Sequence, residues 1–307
     1  MDQTNKWVFI INPIAGNGYA LSLEGKIREM ISRHDLPAEV VFTERRGHAT
    51  ELSQYYADRG YKYIIAVGGD GTMNEIASPL VYRKDVVLGL VGAGTGNDFI
   101  QITGFPGRFE DSDWDAFFRA KTSMMDIGKC NDRIFLNGMG LGFDAQVAAE
   151  NYTEPGEVKP GGKSKYIWHI LKTLLFFKEK RMVVITNGQT ITTDCFMNTI
   201  ANGRRFAGGF YLTPGALADD GLLDVCAIKE ISLPHRLRIL LMVPRGTHIN
   251  DRRVHYYKTE KLSLEFPSEV PFHVDGELFF AKDFEVTALP GALNVIYNPE
   301  GRHYFSN

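Results

Sequence analysis

The chain has 307 residues, of which 44% are hydrophobic and 23% charged, and its formal net charge is −3. This composition is typical of a globular protein with one large domain or two ordinary ones. The small net charge gives no indication of a nucleic-acid partner. The three cysteines, Cys130, Cys195 and Cys226, lack the CxxC spacing of a zinc or redox site, so we expect them to be small core residues.

The N-terminal segment, MDQTNKWVFIINP, is too short and acidic for a secretory signal peptide. No apolar run reaches the 18 residues of a spanning helix. We therefore expect a cytoplasmic protein.

Over about the first 125 residues, apolar runs alternate with helical patterns. Strands are predicted at Lys6–Ile11, Val40–Thr43, Tyr61–Val67 and Val86–Val91, and helices at Leu21–Ser32, His48–Arg59 and Met73–Leu80. This alternation predicts right-handed βαβ units and a parallel sheet that is covered on both faces.

From Asp126 onward, strand-like runs separated by glycine-containing turns dominate. The predicted strands are Arg133–Asn137, Arg181–Ile185, Phe196–Ala201, Leu223–Ile228, Lys261–Phe266, Phe272–Val274, Leu278–Ala281 and Phe284–Leu289, with helices at Ser164–Phe177 and Leu233–Met242. We thus predict an α/β domain at residues 1–125 and an antiparallel β-sandwich or open barrel at residues 126–293. The tail, residues 294–307, returns to the first domain, and the cleft between the domains holds the ligands.

Three glycine-rich loops follow strands of the first domain: 12-NPIAGNG-18, 68-GGDGTMNE-75 and 92-GAGTGNDF-99. Loops at the carboxyl ends of parallel strands form the binding crevice of such a sheet. Glycine lets backbone N–H groups approach an anion, and a following helix adds its positive N-terminal end. A tight turn explains any one loop, but three at equivalent positions favour a phosphate site.

Neither specific nucleotide motif is present in these loops. The chain has no G-x-x-x-x-G-K-[ST] sequence, and GAGTGND lacks the G-x-G-x-x-G spacing of dinucleotide-binding proteins. The centre of the second loop is Asp70, a carboxylate at a position where phosphates would be repelled. The loop contains no lysine to offset this charge.

The combination of NPIAG, GGDGTMNE and GTGNDF resembles the diacylglycerol kinase catalytic family. Bacterial soluble lipid kinases are the nearest branch, and sphingosine and ceramide kinases are more distant. GGDGT also occurs in NAD kinases and 6-phosphofructokinases, whereas the GTGNDF loop favours the lipid kinases. The resemblance extends over almost the whole chain and implies an enzyme that uses ATP and Mg²⁺.

This resemblance implies roles for particular residues of the first domain. The implied nucleotide-binding residues are Asn12, Thr43, Gly68, Gly69, Asp70, Gly71, Thr72, Asn74, Glu75, Gly94, Thr95 and Asn97. Asp70, Asp98 and Asp126 would form a carboxylate and water network near the nucleotide. From the residues alone, Asn97 or Asp98 is equally well explained as a helix N-cap, and Asp126 as a solvated residue at the domain junction.

The segment 202-NGRRFAGGFYLTPGALADDGLLDV-225 also resembles the lipid kinases. By itself, ADDGLLD is a glycine turn before a strand. The resemblance implies a structural Mg²⁺ held by the Leu217 carbonyl, the Asp220 carboxylate and the Leu222 carbonyl, which are the hard oxygen ligands that this ion prefers.

The segment 272-FHVDGELF-279 predicts a hairpin, because Asp275-Gly276 separates two strand-like runs. Spacing alone makes Asp275 a turn residue. The resemblance implies a second role, as the general base that accepts the proton of a lipid hydroxyl attacking the γ-phosphate of ATP.

The first loop departs from the family pattern. Many relatives carry a basic residue within or just after it, whereas 15-AGNGYA-20 has none. Neutralisation of the phosphates then falls to Mg²⁺, to helix ends, or to other cations such as Arg45, Arg204 or Arg205.

The segment 159-KPGGKSKYIWHILKTLLFFKEKR-181 combines basic residues with a strongly apolar, aromatic helix. Such a pattern suits peripheral contact with an anionic membrane surface, which would bring the enzyme to its lipid. A core helix with solvated ends explains it equally well. A homodimer through an edge strand is left open.

The leading hypothesis is therefore an ATP- and Mg²⁺-dependent kinase for diacylglycerol or a related lipid alcohol. A NAD kinase is the alternative enzyme, although GTGNDF and the 202–225 segment speak against it. A non-catalytic nucleotide or lipid sensor on the same scaffold is the alternative of a different class.

Overall fold

The computed structural model describes residues 5–154, 157–158, 163–186, 188–207 and 209–306. They form two compact units. The first unit contains the chain up to Ile127, the short segment Leu217–Asp220 and the chain from Pro290 onward. The second unit contains Gly128–Ala216 and Gly221–Leu289.

The first unit is an α/β fold around a parallel sheet. Its strands are β1 (Trp7–Ile11), β2 (Ala38–Phe42), β3 (Tyr63–Gly68) and β4 (Val87–Gly92), and its helices are α1 (Tyr19–Ser22), α2 (Glu24–Arg33), α3 (His48–Asp58), α4 (Asp70–Ala77) and α5 (Asp111–Phe118). The strand order is β4-β3-β1-β2, and Val295 pairs in parallel with Leu88 on the outer side of β4. Every residue of β1 and β4 is buried, as in a sheet with both faces covered.

The predicted strands and helices of this unit are present, with three differences. The predicted helix Leu21–Ser32 is divided into α1 and α2 at Leu23. Helix α5 was not predicted, because the four apolar residues of DSDWDAFF are mostly gathered at its end and show no helical period. Helix α4 begins at Asp70 rather than Met73, and ends at Ala77 in a 3₁₀ turn, Ser78–Leu80.

The second unit is an antiparallel β structure with three longer helices. Its strands are β5 (Thr122–Cys130, which begins in the first unit), β6 (Arg133–Phe135), β7 (Gly138–Gly142), β8 (Tyr152–Glu154), β9 (Glu157–Val158), β10 (Lys180–Thr186), β11 (Gln189–Ala201), β12 (Leu223–Lys229), β13 (Val254–Thr259), β14 (Lys261–Val274) and β15 (Glu277–Ile296, which ends in the first unit). The helices are α6 (Phe143–Asn151), α7 (Lys163–Phe176) and α8 (Leu233–Met242), followed by 3₁₀ turns at Val243–Arg245 and Thr247–Asn250.

The main strands hydrogen-bond in the order β13-β12-β11-β10-β14-β15. Strand β7 lies between β11 and β14 where β10 has ended. Buried side chains from β6, β7, β10, β11, β12, β14 and β15 meet in one cluster, so the sheet folds over and encloses a core. A second cluster lies on the other face of β11 and β12 and is covered by α6, α7 and α8.

This arrangement confirms the predicted antiparallel β fold, with differences in detail. Strands β7, β8, β9 and β13 and helix α6 were not predicted, since their glycines and polar residues obscure the periodicity. The separately predicted runs of β14 form one strand with a bulge between Glu265 and Val270, and those of β15 form one continuous strand. The three cysteines are buried, with no disulfide, as expected.

The division of the chain differs from the predicted one at three places. Residues 126–127, Leu217–Asp220 and 290–293, which were assigned to the β-rich domain, belong to the first unit. Backbone hydrogen bonds explain this, because the Asp126 N–H donates to the Ala218 carbonyl over 2.7 Å and the Ala218 N–H donates to the Tyr304 carbonyl over 2.9 Å. Within the part of the chain that the structure describes, no helix is long and apolar enough to cross a membrane.

Candidate nucleotide and phosphoryl-transfer site

The three glycine-rich loops of the first unit lie together at the carboxyl ends of β1, β3 and β4. The Asn12 amide of the first loop donates to the Thr72 hydroxyl over 2.9 Å, which joins it to the second loop. A Cβ atom on Gly16 would lie 2.2 Å from the Ala93 carbonyl oxygen, so the first and third loops are in direct backbone contact. Only glycine permits that approach.

The second and third loops are equally close. The Ala93 N–H donates to the Gly68 carbonyl over 2.7 Å. A Cβ atom on Gly94 would lie 2.4 Å from the Cα atom of Gly69. The backbones of the three glycine-rich loops thus form one continuous surface, which is a feature of phosphate sites.

Asp70 occupies the first turn of α4, where the positive end of the helix favours a negative side chain. Its carboxylate accepts the N–H groups of Asp98 over 3.3 Å and Phe99 over 3.2 Å. The negative charge that appeared unfavourable in the sequence is therefore stabilised by the helix end and by two N–H groups of the third loop. Asp70 ties the second loop to the third.

Asn97 shapes the third loop from within. It has a left-handed backbone, with φ 53°, and its side chain is buried. The amide oxygen accepts the Gly94 N–H over 2.8 Å, while the amide nitrogen donates to the carbonyls of Gly94 and Gly107. Asp98 is buried like Asn97, whereas Thr95 is exposed. Neither Asn97 nor Asp98 makes a side-chain N-cap bond to the following 3₁₀ turn.

Thr43 and Glu75 belong to the same edge of the sheet. The Thr43 N–H donates to the Ile11 carbonyl over 2.9 Å, which places it beside the start of the first loop. Both carboxylate oxygens of Glu75 accept the Gly47 N–H over 3.1 Å. Glu75 therefore holds the loop that contains Thr43 against α4, on which Asn74 is half-buried.

Asp126 is a buried carboxylate of the first unit, with 3% of its surface exposed. It accepts the Gly291 N–H over 2.7 Å, in addition to the backbone bond to Ala218. These bonds join three separate stretches of the chain. The carboxylate and water network of Asp70, Asp98 and Asp126 remains a prediction.

Sequence reasoning missed one cation near the loops, Arg108. Its guanidinium stacks over the ring of Tyr19, 4.5 Å from the centroid, directly after the first loop. The preceding Gly107 accepts the Asn97 amide and lies against Gly92. Arg108 is exposed and forms no salt bridge with any described residue. No motif marks it, since only the folded chain returns GFPGR to the loops.

Two of the cations proposed from sequence, Arg45 and Arg204, have partners within the chain. Arg45 forms a bidentate pair with Glu51, which lowers the pKa of that carboxyl and raises the pKa of the guanidinium. Arg204, in the second unit, donates to the Ala216 carbonyl over 2.7 Å.

The predicted Mg²⁺ ligands lie on either side of a unit boundary, with Leu217 and Asp220 in the first unit and Leu222 in the second. The chain turns between them at Gly221, which has φ 75°. One carboxylate and two backbone carbonyls are chemically suited to Mg²⁺. Among the residues that the structure describes, no cluster of three or more His, Cys, Asp or Glu side chains could hold a metal.

Asp275 lies at the tip of the predicted hairpin, which is confirmed. Val274 pairs with Glu277, and both Asp275 and Gly276 have positive φ, as a type I′ turn requires. The carboxylate accepts three backbone N–H groups: Leu136 over 2.7 Å, Gly138 over 2.9 Å and Asn137 over 3.0 Å. It is therefore held rigidly against the start of β7.

A histidine and a second carboxylate lie close to this hairpin. His273, two residues before Asp275, places Nε2 3.4 Å from an Asp144 oxygen, which also accepts from the Thr199 hydroxyl over 3.3 Å. A Cβ atom on Gly140 would overlap both partners, so glycine makes room for the pair. The other ring nitrogen of His273 is buried and has no hydrogen-bond partner among the described residues.

Comparisons with known proteins agree with this architecture. The diacylglycerol kinase catalytic domain matches residues 6–130, and the YegS C-terminal NAD kinase beta sandwich-like domain matches residues 138–297. A protein of Cronobacter sakazakii named "Probable lipid kinase YegS-like" is 30% identical over 86% of this chain and 87% of its own. A "Diacylglycerol kinase" of Bacillus subtilis is 27% identical over 87% and 88%.

A solved structure gives the same result for the fold. The crystal structure of a diacylglycerol kinase from Bacillus anthracis str. Sterne superposes with a TM-score of 0.74 at 21% identity, covering 97% of this chain and 99% of that one. At this identity the likeness concerns the fold alone.

Proposed function

This chain belongs to the diacylglycerol kinase catalytic family, and from that premise we propose that it transfers the γ-phosphate of ATP to the hydroxyl of a lipid alcohol such as diacylglycerol, with Mg²⁺. The chain is a lipid kinase; the nucleotide, the metal and the particular lipid are the proposed part. The observation that carries the proposal is the meeting of three glycine-rich loops at one edge of the first unit's sheet.

The phosphates of ATP would bind where these loops meet. The N-terminal end of α4 and the backbone of Gly94 and Thr95 offer N–H groups and a positive helix end. Asn12, Thr72 and Asn97 support this surface through the hydrogen bonds that join or shape the loops. Gly68, Gly69 and Gly71 keep side chains out of it. Phosphoryl transfer needs this kind of positioning more than covalent chemistry.

The charge on the phosphates would be neutralised by Mg²⁺ and Arg108. Mg²⁺ supplies positive charge to the β- and γ-phosphates when it is bound. A structural Mg²⁺ would bind the Leu217 carbonyl, the Asp220 carboxylate and the Leu222 carbonyl. Arg108 is exposed and stacked on Tyr19, so its guanidinium is available beside the first loop.

Asp275 is proposed as the general base for the lipid hydroxyl. Its three backbone donors fix the orientation of the carboxylate, which is useful for a group that must meet a reacting atom. The lipid hydroxyl would give its proton to this carboxylate as the hydroxyl oxygen bonds to phosphorus.

The lipid would be reached by peripheral contact of the second unit with an anionic membrane. Helix α7 exposes apolar side chains on one face, and so does α8. They are Trp168, Leu171, Leu175 and Phe176 on α7, and Leu233, Leu237 and Leu241 on α8. Arg236 joins the helices by donating to the carbonyls of Leu174 and Phe177 and by pairing with Glu179.

Exposed lysines accompany this apolar surface. Lys172 is on α7, and Lys178 follows it. Apolar residues with basic neighbours suit an anionic lipid surface. The buried side of α7, with Ile170 and Leu174, meets the second core cluster, and the opposite, exposed side would make the membrane contact. Residues 159–162 of the predicted segment lie outside the described part of the chain.

The test of the function is a radiolabelled-ATP assay over a panel of lipid alcohols in anionic vesicles, with NAD as a further acceptor. We expect Mg²⁺-dependent label in a lipid of the panel. Label in NAD and in none of the lipids would establish the NAD kinase alternative. Tight ATP binding with no turnover on any acceptor would establish a sensor.

The membrane contact has its own control in the same vesicles. Leu241→Glu, on α8, should lower sedimentation with phosphatidylglycerol vesicles. Phe280→Glu, at a 57% exposed position on β15, should not. Equal binding of both variants and the unaltered chain would refute the contact.

A further inference from the structure

The tail of the chain, described as far as residue 306, packs against the 3₁₀ turn Phe99–Thr103, which begins where the third glycine-rich loop ends. The Asn298 N–H donates to the Thr103 carbonyl over 2.8 Å, and the Tyr304 N–H donates to the Ile102 carbonyl over 3.0 Å. The last carbonyls of a helical turn need partners from elsewhere in the chain. Here the tail supplies two of those partners.

The other side of the tail is fixed to the segment Leu217–Asp220. The Ala218 N–H donates to the Tyr304 carbonyl over 2.9 Å, so the backbone of Tyr304 is hydrogen-bonded on both sides. The Asp219 carboxylate accepts the Ser306 hydroxyl over 2.6 Å and the Ser306 N–H over 2.8 Å. The side chain of Tyr304 is buried. The tail therefore lies between this segment and the turn and is bonded to both.

The turn Phe99–Thr103 is directly connected to the candidate nucleotide site. Its first residue, Phe99, donates its N–H to the Asp70 carboxylate, and so does the preceding residue, Asp98. The turn is thus held at its start by Asp70 and at its end by the tail. Since the turn has only five residues, a displacement of its end also moves its start.

We infer that Tyr304 and Ser306 are positioning residues for the nucleotide and that they act through this turn. The tail fixes the turn, and the turn presents the N–H groups of Asp98 and Phe99 to Asp70. Asp70 in turn joins the second loop to the third. The effect of the tail on ATP rests on the proposed function, whereas the link from the tail to the turn can be measured without a nucleotide.

The link is tested by hydrogen exchange of the full chain without nucleotide or Mg²⁺. Asp219→Ala removes the acceptor of both Ser306 bonds, and we expect the amides of residues 98–104 to exchange about tenfold faster, because hydrogen bonds to charged groups are strong. Ser306→Ala removes one of these bonds and should have a smaller effect in the same direction. The amides of β1 should keep their rates. Unchanged exchange at residues 98–104, or an equal rise in β1, would overturn the inference.

The tail offers two matched controls. Glu300→Gln alters an exposed carboxylate of the tail that pairs with Arg119 over 3.3 Å, and it should leave exchange at residues 98–104 unchanged. Ser306→Thr keeps the hydroxyl and should behave like the unaltered chain. A change in Ser306→Thr as large as that in Ser306→Ala would overturn the role of the Ser306 hydroxyl.

ATP provides the functional readout, at saturating Mg²⁺. Asp219→Ala and Ser306→Ala should raise the KM for ATP several-fold, with kcat and the KM for the acceptor little changed, because the tail acts on the nucleotide site. A merely structural role would lower kcat through loss of folded enzyme and leave the KM for ATP unchanged, and that result would overturn the inference. Ser306→Ala keeps every carboxylate, so an effect shared by both variants does not come from the Mg²⁺ ligands beside Asp219.

Failure of the proposed function gives a different result. An unaltered chain that binds no radiolabelled ATP and labels no lipid refutes the kinase proposal. The exchange rates at residues 98–104 still decide in that case whether the tail holds the turn.

Discussion

The two carboxylates that the sequence places in functional loops, Asp70 in the first unit and Asp275 in the second, are held differently. Asp70 lies at the start of a helix and accepts two backbone N–H groups at 3.2 and 3.3 Å. Asp275 lies at a hairpin tip and accepts three, at 2.7 to 3.0 Å. The first carboxylate joins two loops, whereas the second is fastened to one short segment.

This difference in hydrogen bonding suits the two carboxylates to different roles. We expect the longer bonds of Asp70, at a helix end, to leave its carboxylate able to face a hydrated cation. The shorter bonds from three donors fix the orientation of the Asp275 carboxylate, which suits the role proposed for it. A loop carboxylate can therefore be structural and functional at once, and the two contributions must be measured separately.

The largest expected effect is on turnover in Asp275→Asn. If Asp275 accepts the hydroxyl proton, kcat falls by roughly 10²-fold or more while ATP binding is retained. The amide also turns an NH₂ group toward a backbone N–H, so we expect the unfolding free energy to fall by about 1–3 kcal/mol. Kinetics and thermal unfolding of the same preparation separate the two losses.

Asp283→Asn is the control for Asp275, since Asp283 is an exposed carboxylate on the same hairpin strand. It should alter neither activity nor stability. His273→Gln tests the neighbouring histidine in the same assay. Full turnover by folded Asp275→Asn together with lost turnover by His273→Gln would transfer the role of base to the histidine.

The next effect is on nucleotide affinity in Asp70→Asn. Loss of the charge weakens two bonds to the third loop, and charged hydrogen bonds contribute about 1.5–3 kcal/mol each. We expect the KM for ATP to rise roughly 10- to 100-fold and the Mg²⁺ requirement to increase. Raised KM with an unchanged Mg²⁺ dependence would leave Asp70 as a loop-shaping residue with no metal-linked role.

A smaller effect is expected for Arg108→Gln, because an exposed charge contributes about 1 kcal/mol or less. ATP should bind several-fold more weakly, while adenosine, which has no phosphate, should bind as before. Arg59→Gln is the matched control, since Arg59 also stacks on a tyrosine, 3.4 Å from the Tyr55 centroid, but at the opposite end of β3. Similar losses in both variants would exclude a phosphate contact for Arg108.

The smallest expected effect is on the free energy of unfolding at acid pH, and it concerns the second unit only. Burial lowers the pKa of His248 from its ordinary 6.5, against an opposing contribution from the Leu212 carbonyl. The unfolded chain therefore takes up a proton before the folded one, so stability should begin to fall as the pH drops below 6.5. Hydrogen exchange should report this loss in the second unit, and His248→Gln should reduce it.

Much of this fold could be predicted from the sequence, because β1, β3 and β4 are short apolar runs, the first followed by Asn12-Pro13 and the other two by glycine-rich loops. The Asp275-Gly276 hairpin followed from the same local chemistry. Strand β7, GMGLG, could not be predicted, since its glycines are selected by close neighbours such as Asp144 and His273 rather than by strand propensity.

The candidate site also has parts that the sequence predicts and parts that it does not. The glycine loops are visible in the sequence because each is a local motif. The bond from Asn12 to Thr72 and the stacking of Arg108 on Tyr19 join residues that are distant along the chain. No local pattern specifies such contacts.

The path of the chain between the units has a consequence for folding. The backbone passes from one unit to the other after Ile127, Ala216, Asp220 and Leu289. The first unit is therefore complete only after residues 290–296 have been synthesised, when Val295 can pair with Leu88. A nascent chain that stops before this point carries an unclosed sheet edge, so truncation near residue 127 should yield an aggregation-prone fragment instead of an independent nucleotide-binding domain.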